Sequence, residues 1–172
     1  LLHLHLAETR EESAELEAEH EASIVKILAD HGVFENRVLA AHCVWVDDAD
    51  ISVLAAAGVA VAHCPVSNMK LGSGIAPVVD MRSAGLTVGL GTDGPASNDT
   101  LDLWEEVKVA GLLARVRALD STVLPPAETL AMATRDAALA VGFRGGGCGG
   151  EGWAGGKFSS GQSGRPDVRI DE

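Results

Sequence analysis

Aromatic residues are scarce in this chain: of 172 residues three are Trp, three are Phe and none is Tyr. The Trp residues are scattered, so no platform for stacking unpaired bases is present. Basic residues are also few, 13 Lys and Arg against 25 Asp and Glu, for a formal net charge of −12. Binding to a phosphate backbone needs clustered Lys and Arg, so nucleic acid is excluded as a partner. Cysteine is limited to Cys43, Cys64 and Cys148, without close spacing. An odd, scattered set does not build a disulfide framework and favours reduced thiols in a cytoplasmic setting. No apolar run is long enough to span a bilayer, so no membrane partner is expected. The opening Leu1-Leu-His-Leu-His-Leu6 has no basic segment and no cleavage site. It is expected to be a strand already in progress rather than a signal peptide.

What is present is a composition for a buried core, with 47% of residues hydrophobic and 22% charged. Leu1 to Leu6 alternates around two histidines, the pattern of a short strand. Thr9 followed by Glu12 predicts a capping box opening a charged helix to about Glu19. Ile24, Ile27 and Leu28 predict a second helix over 22–30, stopped at Gly32. Arg37 to Ala41, Val59 to Ala62 and Leu86 to Leu90 are three further strands. The first two of these end in His42-Cys43 and His63-Cys64-Pro65. Asp47 and Asp48 suit a helix start, with Gly58 as its stop. The stretch Val66 to Gly74 reads as a polar loop, and Pro77 opens a helix to about Ala84. Leu101, Trp104, Val107, Leu112, Val116 and Leu119 predict the apolar stripe of a long helix, and another helix is expected over 127–141. Four strand-then-helix units in succession mark an α/β fold with a parallel sheet.

Beyond Gly142 the character changes. Residues 1–143 form the predicted domain, and residues 144–172 a Gly-rich tail with no hydrophobic period, expected to be disordered. An ordinary flexible tail and a segment translated out of frame both account for that composition.

His5, His42, His63 and Asp93 each close a different predicted strand. In a barrel or doubly wound sheet those ends converge on one rim. Imidazole nitrogen and carboxylate oxygen are the ligand types of a catalytic zinc, which keeps a position open for water. Glu8, three residues after His5, is placed to move protons, or else belongs to the acidic helix start with Glu11 and Glu12. His3 shares a strand face with His5, and its deeper position marks it as a core or supporting residue. His20 and His31 read as surface residues, and Cys43 and Cys64 as small core residues.

The residues in order resemble the amidohydrolase superfamily. The carriers are His3-Leu-His5-Leu-Ala-Glu8-Thr, Ala41-His42-Cys43-Val, His63-Cys-Pro-Val-Ser67-Asn68-Met-Lys70-Leu-Gly72, and Gly91-Thr-Asp93-Gly-Pro-Ala-Ser97-Asn98. The branch most similar to them is that of the methylthioadenosine/S-adenosylhomocysteine deaminases. The resemblance covers roughly Leu1 to Phe143.

It implies a partial TIM-type (β/α)8 barrel, strands five to eight with their helices. A complete barrel takes roughly 250 residues. It implies metal ligation by His5 and Asp93, with Glu8, His42 and Asp93 catalytic and Glu8 and Asp93 also binding substrate. His63, Ser67 and Asn68 fall in the seventh-strand motif as site-shaping residues. The implied cofactor is one zinc ion per complete site, with Fe2+ as the alternative, and the implied substrate a small purine-type molecule. The family's first-strand His-x-His ligand pair has no counterpart here. His3-x-His5 sits in the context of the fifth strand. The expectation is therefore a deaminase fragment, inactive alone, completed by an N-terminal half or by a homo-oligomer. The alternatives are a guanine-like or triazine hydrolase, and a non-catalytic half-barrel that acts by association.

Overall fold

The computed structural model describes residues 1–143. The Gly-rich tail and Cys148 lie outside the described residues. Four strands, β1 (Leu2–Leu6), β2 (Val38–His42), β3 (Ala60–His63) and β4 (Thr87–Leu90), form one parallel sheet in sequential order. Helices α1 (Arg10–His20), α2 (Ile24–Asp30) and α3 (Asp48–Ala56) fill the first two connections. Helices α4 (Pro65–Leu71) and α5 (Val78–Ser83) lie between β3 and β4, and α6 (Leu103–Ala118), α7 (Pro126–Ala131) and α8 (Ala137–Ala140) follow β4. Among the described residues no helix is long and apolar enough to cross a membrane.

Side chains alternate across the strands, so each strand contributes to both faces of the sheet. One face carries Leu4, Leu6, Val38, Ala40, Val61 and Val88, packed on helix residues that include Val25, Leu54, Met81 and Met132. Burying these apolar groups drives the sheet and helices together. The opposite face carries His3 and His5 on β1, Leu39 and Ala41 on β2, Ala60 and Ala62 on β3, and Gly89 on β4. Ala140 of α8 packs there against Leu39 and Ala60. Gly89 permits this approach, because a Cβ at that position would lie 2.7 Å from the Ala137 Cα. Arg37 fastens the end of α8 by donating to the Ala140 carbonyl at 3.3 Å.

Several sequence expectations change here. His3 is exposed rather than buried. It sits on the edge strand, on the face that α8 covers only over β2 to β4. The stretch expected as a loop over 66–74 is largely α4. Pro65 supplies the fixed φ of its first turn, and Gly72, at φ 70°, ends it in the left-handed region. The helix over 127–141 is broken by a π-helical turn at Met132–Asp136. In α6 most of the expected apolar stripe faces out, with Trp104 67% exposed and Leu119 92%, while Val107 packs half-buried against the core. The buried face is Glu106 with Ala110, Gly111 and Ala114, and the small side chains of the last three allow close packing of the helix. The capping box at Thr9 is altered. Its hydroxyl accepts from the Glu12 amide at 3.2 Å, but the Glu12 carboxylate accepts from the Glu8 amide rather than from Thr9. A full capping box forms instead at Asp47 and Asp50.

Candidate metal-binding active site

The carboxyl ends of β1, β2 and β4 contribute to one cluster, which α4, following β3, supports. His5 is the next-to-last residue of β1 and sits on the face opposite the main core. His42 ends β2. It is paired in register with Leu6, a core residue, so simple alternation would turn its ring away from His5. His42 and Cys43 instead have φ of 70° and 47°, left-handed values rarely adopted by side-chain-bearing residues. This bend ends the strand alternation, and the two rings meet edge to face with centroids 4.7 Å apart. Strain of this kind concentrates at functional sites.

Asp93 follows β4 and also lies in the left-handed region, at φ 59°. Its Oδ2 accepts from the Ser67 hydroxyl at 2.9 Å and from the Ser97 hydroxyl. Its Oδ1 lies 4.0 Å from His5 Nε2. Burial raises the Asp93 carboxyl, but the hydroxyls of Ser97 and Ser67, the Gly94 amide and His42 outweigh it and hold it below the usual carboxylate range. The Glu8 carboxylate stands between the two imidazoles, 3.7 Å from His5 Nδ1 and 3.7 Å from His42 Nε2. The geometry thus separates Glu8 from Glu11, which sits exposed on α1.

Two residues of α4 arrange this cluster. Ser67 holds Asp93, and Asn68 Oδ1 accepts from His42 Nδ1 at 2.8 Å. A proton on Nδ1 leaves the Nε2 lone pair facing the cluster, the usual way an outer partner orients a ligating imidazole. His42 is wholly buried, and its Nε2 has no hydrogen-bond partner. His63 is also buried, with its Nδ1 unpaired. Burial and the nearby His42 push its imidazole down to about 3, so it is neutral at ordinary pH.

The donor set fits a metal ion. One ligand atom each from His5, His42 and Asp93 lies within 4.8 Å of the others, and two imidazole nitrogens with a carboxylate oxygen are a set that zinc accepts. A buried imidazole nitrogen without a partner is the kind of atom that such an ion would satisfy. The sequence placed His5 and Asp93 in the expected ligand set and His42 beside it; in space a ligand atom of each lies within 4.8 Å of the others. Cys43 and Cys64 do not join them. Both thiols are free and buried, and burial, with the neighbouring Cys64 thiol acting on Cys43 and the Asp93 carboxylate on Cys64, pushes each up to about 12. His20 and His31 are exposed and distant in the fold.

One polar residue at this site was not singled out in the sequence. Glu106 of α6 is fully buried and accepts from the Val66 amide at 3.1 Å and from the Asn98 side-chain amide. Its spacing of four from Ala110 and eight from Ala114, all on one helix face, was the available signal.

Residues 1–148 match the family described as Amidohydrolase family. Over 143 residues the chain is 52% identical to a 5-methylthioadenosine/S-adenosylhomocysteine deaminase of Pelotomaculum thermopropionicum, covering 83% of this chain and 33% of that protein. It is 49% identical over 141 residues to a 5'-deoxyadenosine deaminase of Methanosarcina mazei, covering 82% and 33%. Among solved structures it superposes on a zinc-bound adenosine deaminase of Xanthomonas campestris with a TM-score of 0.79 and 40% identity, covering 82% of this chain and 32% of that one. The chain therefore spans about a third of the length of the curated relatives it matches.

Proposed function

The chain belongs to the amidohydrolase family, and from that premise we propose that it forms strands five to eight of a TIM-type barrel that deaminates a purine-type ring. The observation that carries this is the convergence of His5, His42 and Asp93 donor atoms within 4.8 Å, with the Glu8 carboxylate 3.7 Å from both imidazoles. The deaminase names of the most similar relatives point to adenosine analogues over guanine-like or triazine substrates. Buried, reduced Cys43 and Cys64 support a cytoplasmic setting.

His5 and Asp93 would hold the metal, with His42 adjoining. A zinc ion there supplies the Lewis acidity that brings the pKa of water toward neutrality. Asp93 is ionised at neutral pH. Its carboxylate takes a proton from the attacking water. The water oxygen adds to the amine-bearing ring carbon. Glu8 protonates the ring nitrogen, Asp93 returns its proton to the amine as the carbon–nitrogen bond breaks, and Glu8 recovers a proton from the new hydroxyl as ammonia leaves. His42 Nε2 turns its lone pair to the same space, where it accepts a hydrogen bond from the attacking water and orients it.

Three donors and an open β1 edge make an incomplete catalytic site, so the chain alone binds metal weakly and does not turn over. The rest of the barrel supplies the remaining ligands and the substrate contacts. Zinc titration by calorimetry, followed by deamination of 5'-deoxyadenosine with and without a polypeptide carrying the first four strands of a relative, tests this. Weak binding that disappears in His5→Ala and Asp93→Asn, with turnover only on complementation, is the expected result. Zinc uptake unaffected by either substitution would overturn the reading.

A further inference from the structure

We propose that Glu106 is a positioning residue that sets the site through two arms, one reaching His42 and the other Asp93. This rests on the reading of His42 and Asp93 as working groups. The carboxylate is wholly buried, 40 residues from Val66 in sequence and 8 from Asn98, and it binds a donor on each. Val66 directly precedes Ser67 and Asn68, whose side chains hold Asp93 and His42. Asn98 directly follows Ser97, the second hydroxyl on Asp93. Asn98 Oδ1 in turn accepts from the Leu101 amide at 3.0 Å, so the loop carrying Asp93 is tied back to the start of α6.

A buried carboxylate is costly, and burial raises Glu106 above its ordinary range against the pull of the Val66 and Asn98 donors. An apolar side chain would fill the same space more cheaply. A carboxylate does what an apolar group cannot, because its two acceptor oxygens match two donors on separate segments and lock their relative placement. Those segments, the first turn of α4 and the Asp93 loop, carry the hydrogen-bond partners of two of the three clustered donors. His5, on β1, lies outside this network.

The test uses the whole 172-residue chain, with imidazole tautomers read by NMR and Co2+ affinity by absorbance. Glu106→Gln is nearly isosteric, yet its amide nitrogen must face a donor at one of the two positions. The expected result is a folded protein in which His42 loses its Nδ1–H signature and Co2+ affinity falls about 10–100-fold, as for other outer-shell partners. Asn98→Ala cuts only the arm to the Asp93 loop, so it lowers Co2+ affinity while leaving the His42 signals in place. It also decides the matter if Glu106→Gln does not fold. Asp136→Asn removes a comparably buried carboxylate held by Arg82 outside the network, and is expected to lower stability without moving His42. The inference is overturned if folded Glu106→Gln keeps its His42 signals, if Asn98→Ala binds Co2+ as the parent does, or if Asp136→Asn disturbs His42 equally. Failure of the parent chain to bind Co2+ overturns the metal reading alone, and the His42 signals then decide the role of Glu106.

Discussion

The two sides of the site are built to different standards. On β2 to β4, His42 and Asp93 are gripped by Asn68, Ser67 and Ser97, and the adjoining Val66 and Asn98 donate to the buried Glu106. On β1, His5 keeps 56% of its side chain exposed, with Glu8 3.7 Å and Asp93 4.0 Å from its ring nitrogens. The sheet face beneath them differs in the same way, covered by α8 as far as Leu39 and open at His3 and His5. Metal sites depend on outer partners to orient their ligands, so this chain preorganises one side of the site and leaves the other unsupported.

The largest contrast is expected between neighbours on β1. Leu6→Ala, in the packed core face, should cost about 2–5 kcal/mol in chemical denaturation, as buried leucine truncations do. His5→Ala, one residue away on the open face, should stay within about 0.5 kcal/mol while weakening metal binding. A comparable loss at both would show that the β1 rim is not an open edge.

Acid should attack the closed side next. His63 is held neutral, its imidazole pushed from 6.5 down to about 3. Between those values the unfolded chain binds a proton that the folded one refuses. Stability is therefore full above pH 6.5 and declines as pH falls toward about 3. Stability curves of His63→Leu should lack that slope, and an unchanged slope would remove His63 from the account.

Smaller losses are expected where the closed side is pinned. Asn68→Ala strands the buried His42 Nδ1–H and should cost about 1–3 kcal/mol by thermal denaturation. Gly89→Ala drives a methyl against the Ala137 backbone and should cost about 1–3 kcal/mol, with α8 loosened in hydrogen exchange. On the open side Glu8→Gln should change stability by no more than about 0.5 kcal/mol. Equal costs for Asn68→Ala and Glu8→Gln would erase the distinction between the two sides.

The strands were legible because each is a short apolar run closed by His, Asp or Gly, and local pattern suffices for that. Helix α6 was legible as a helix but not in its orientation. Its large apolar residues turn outward and its small ones inward, since what packs against α7 is decided by available space. Helix α4 was hidden because Ser67 and Asn68 look like loop residues until their side chains are seen holding Asp93 and His42. The bend at His42 leaves no mark in composition, because no glycine stands there.

The chain's order of residue types determined by itself the α/β class, the four strand ends and the likeness to amidohydrolases, because alternation, helix spacing and motif residues are local properties of a chain. Only the tertiary structure decided that His42 turns toward His5, that Glu106 ties α4 to the Asp93 loop, and that His3 stands in solvent. Each of those depends on which distant segment lies alongside, and contacts between segments tens of residues apart are set by packing and by the pairing of buried polar groups, not by local pattern.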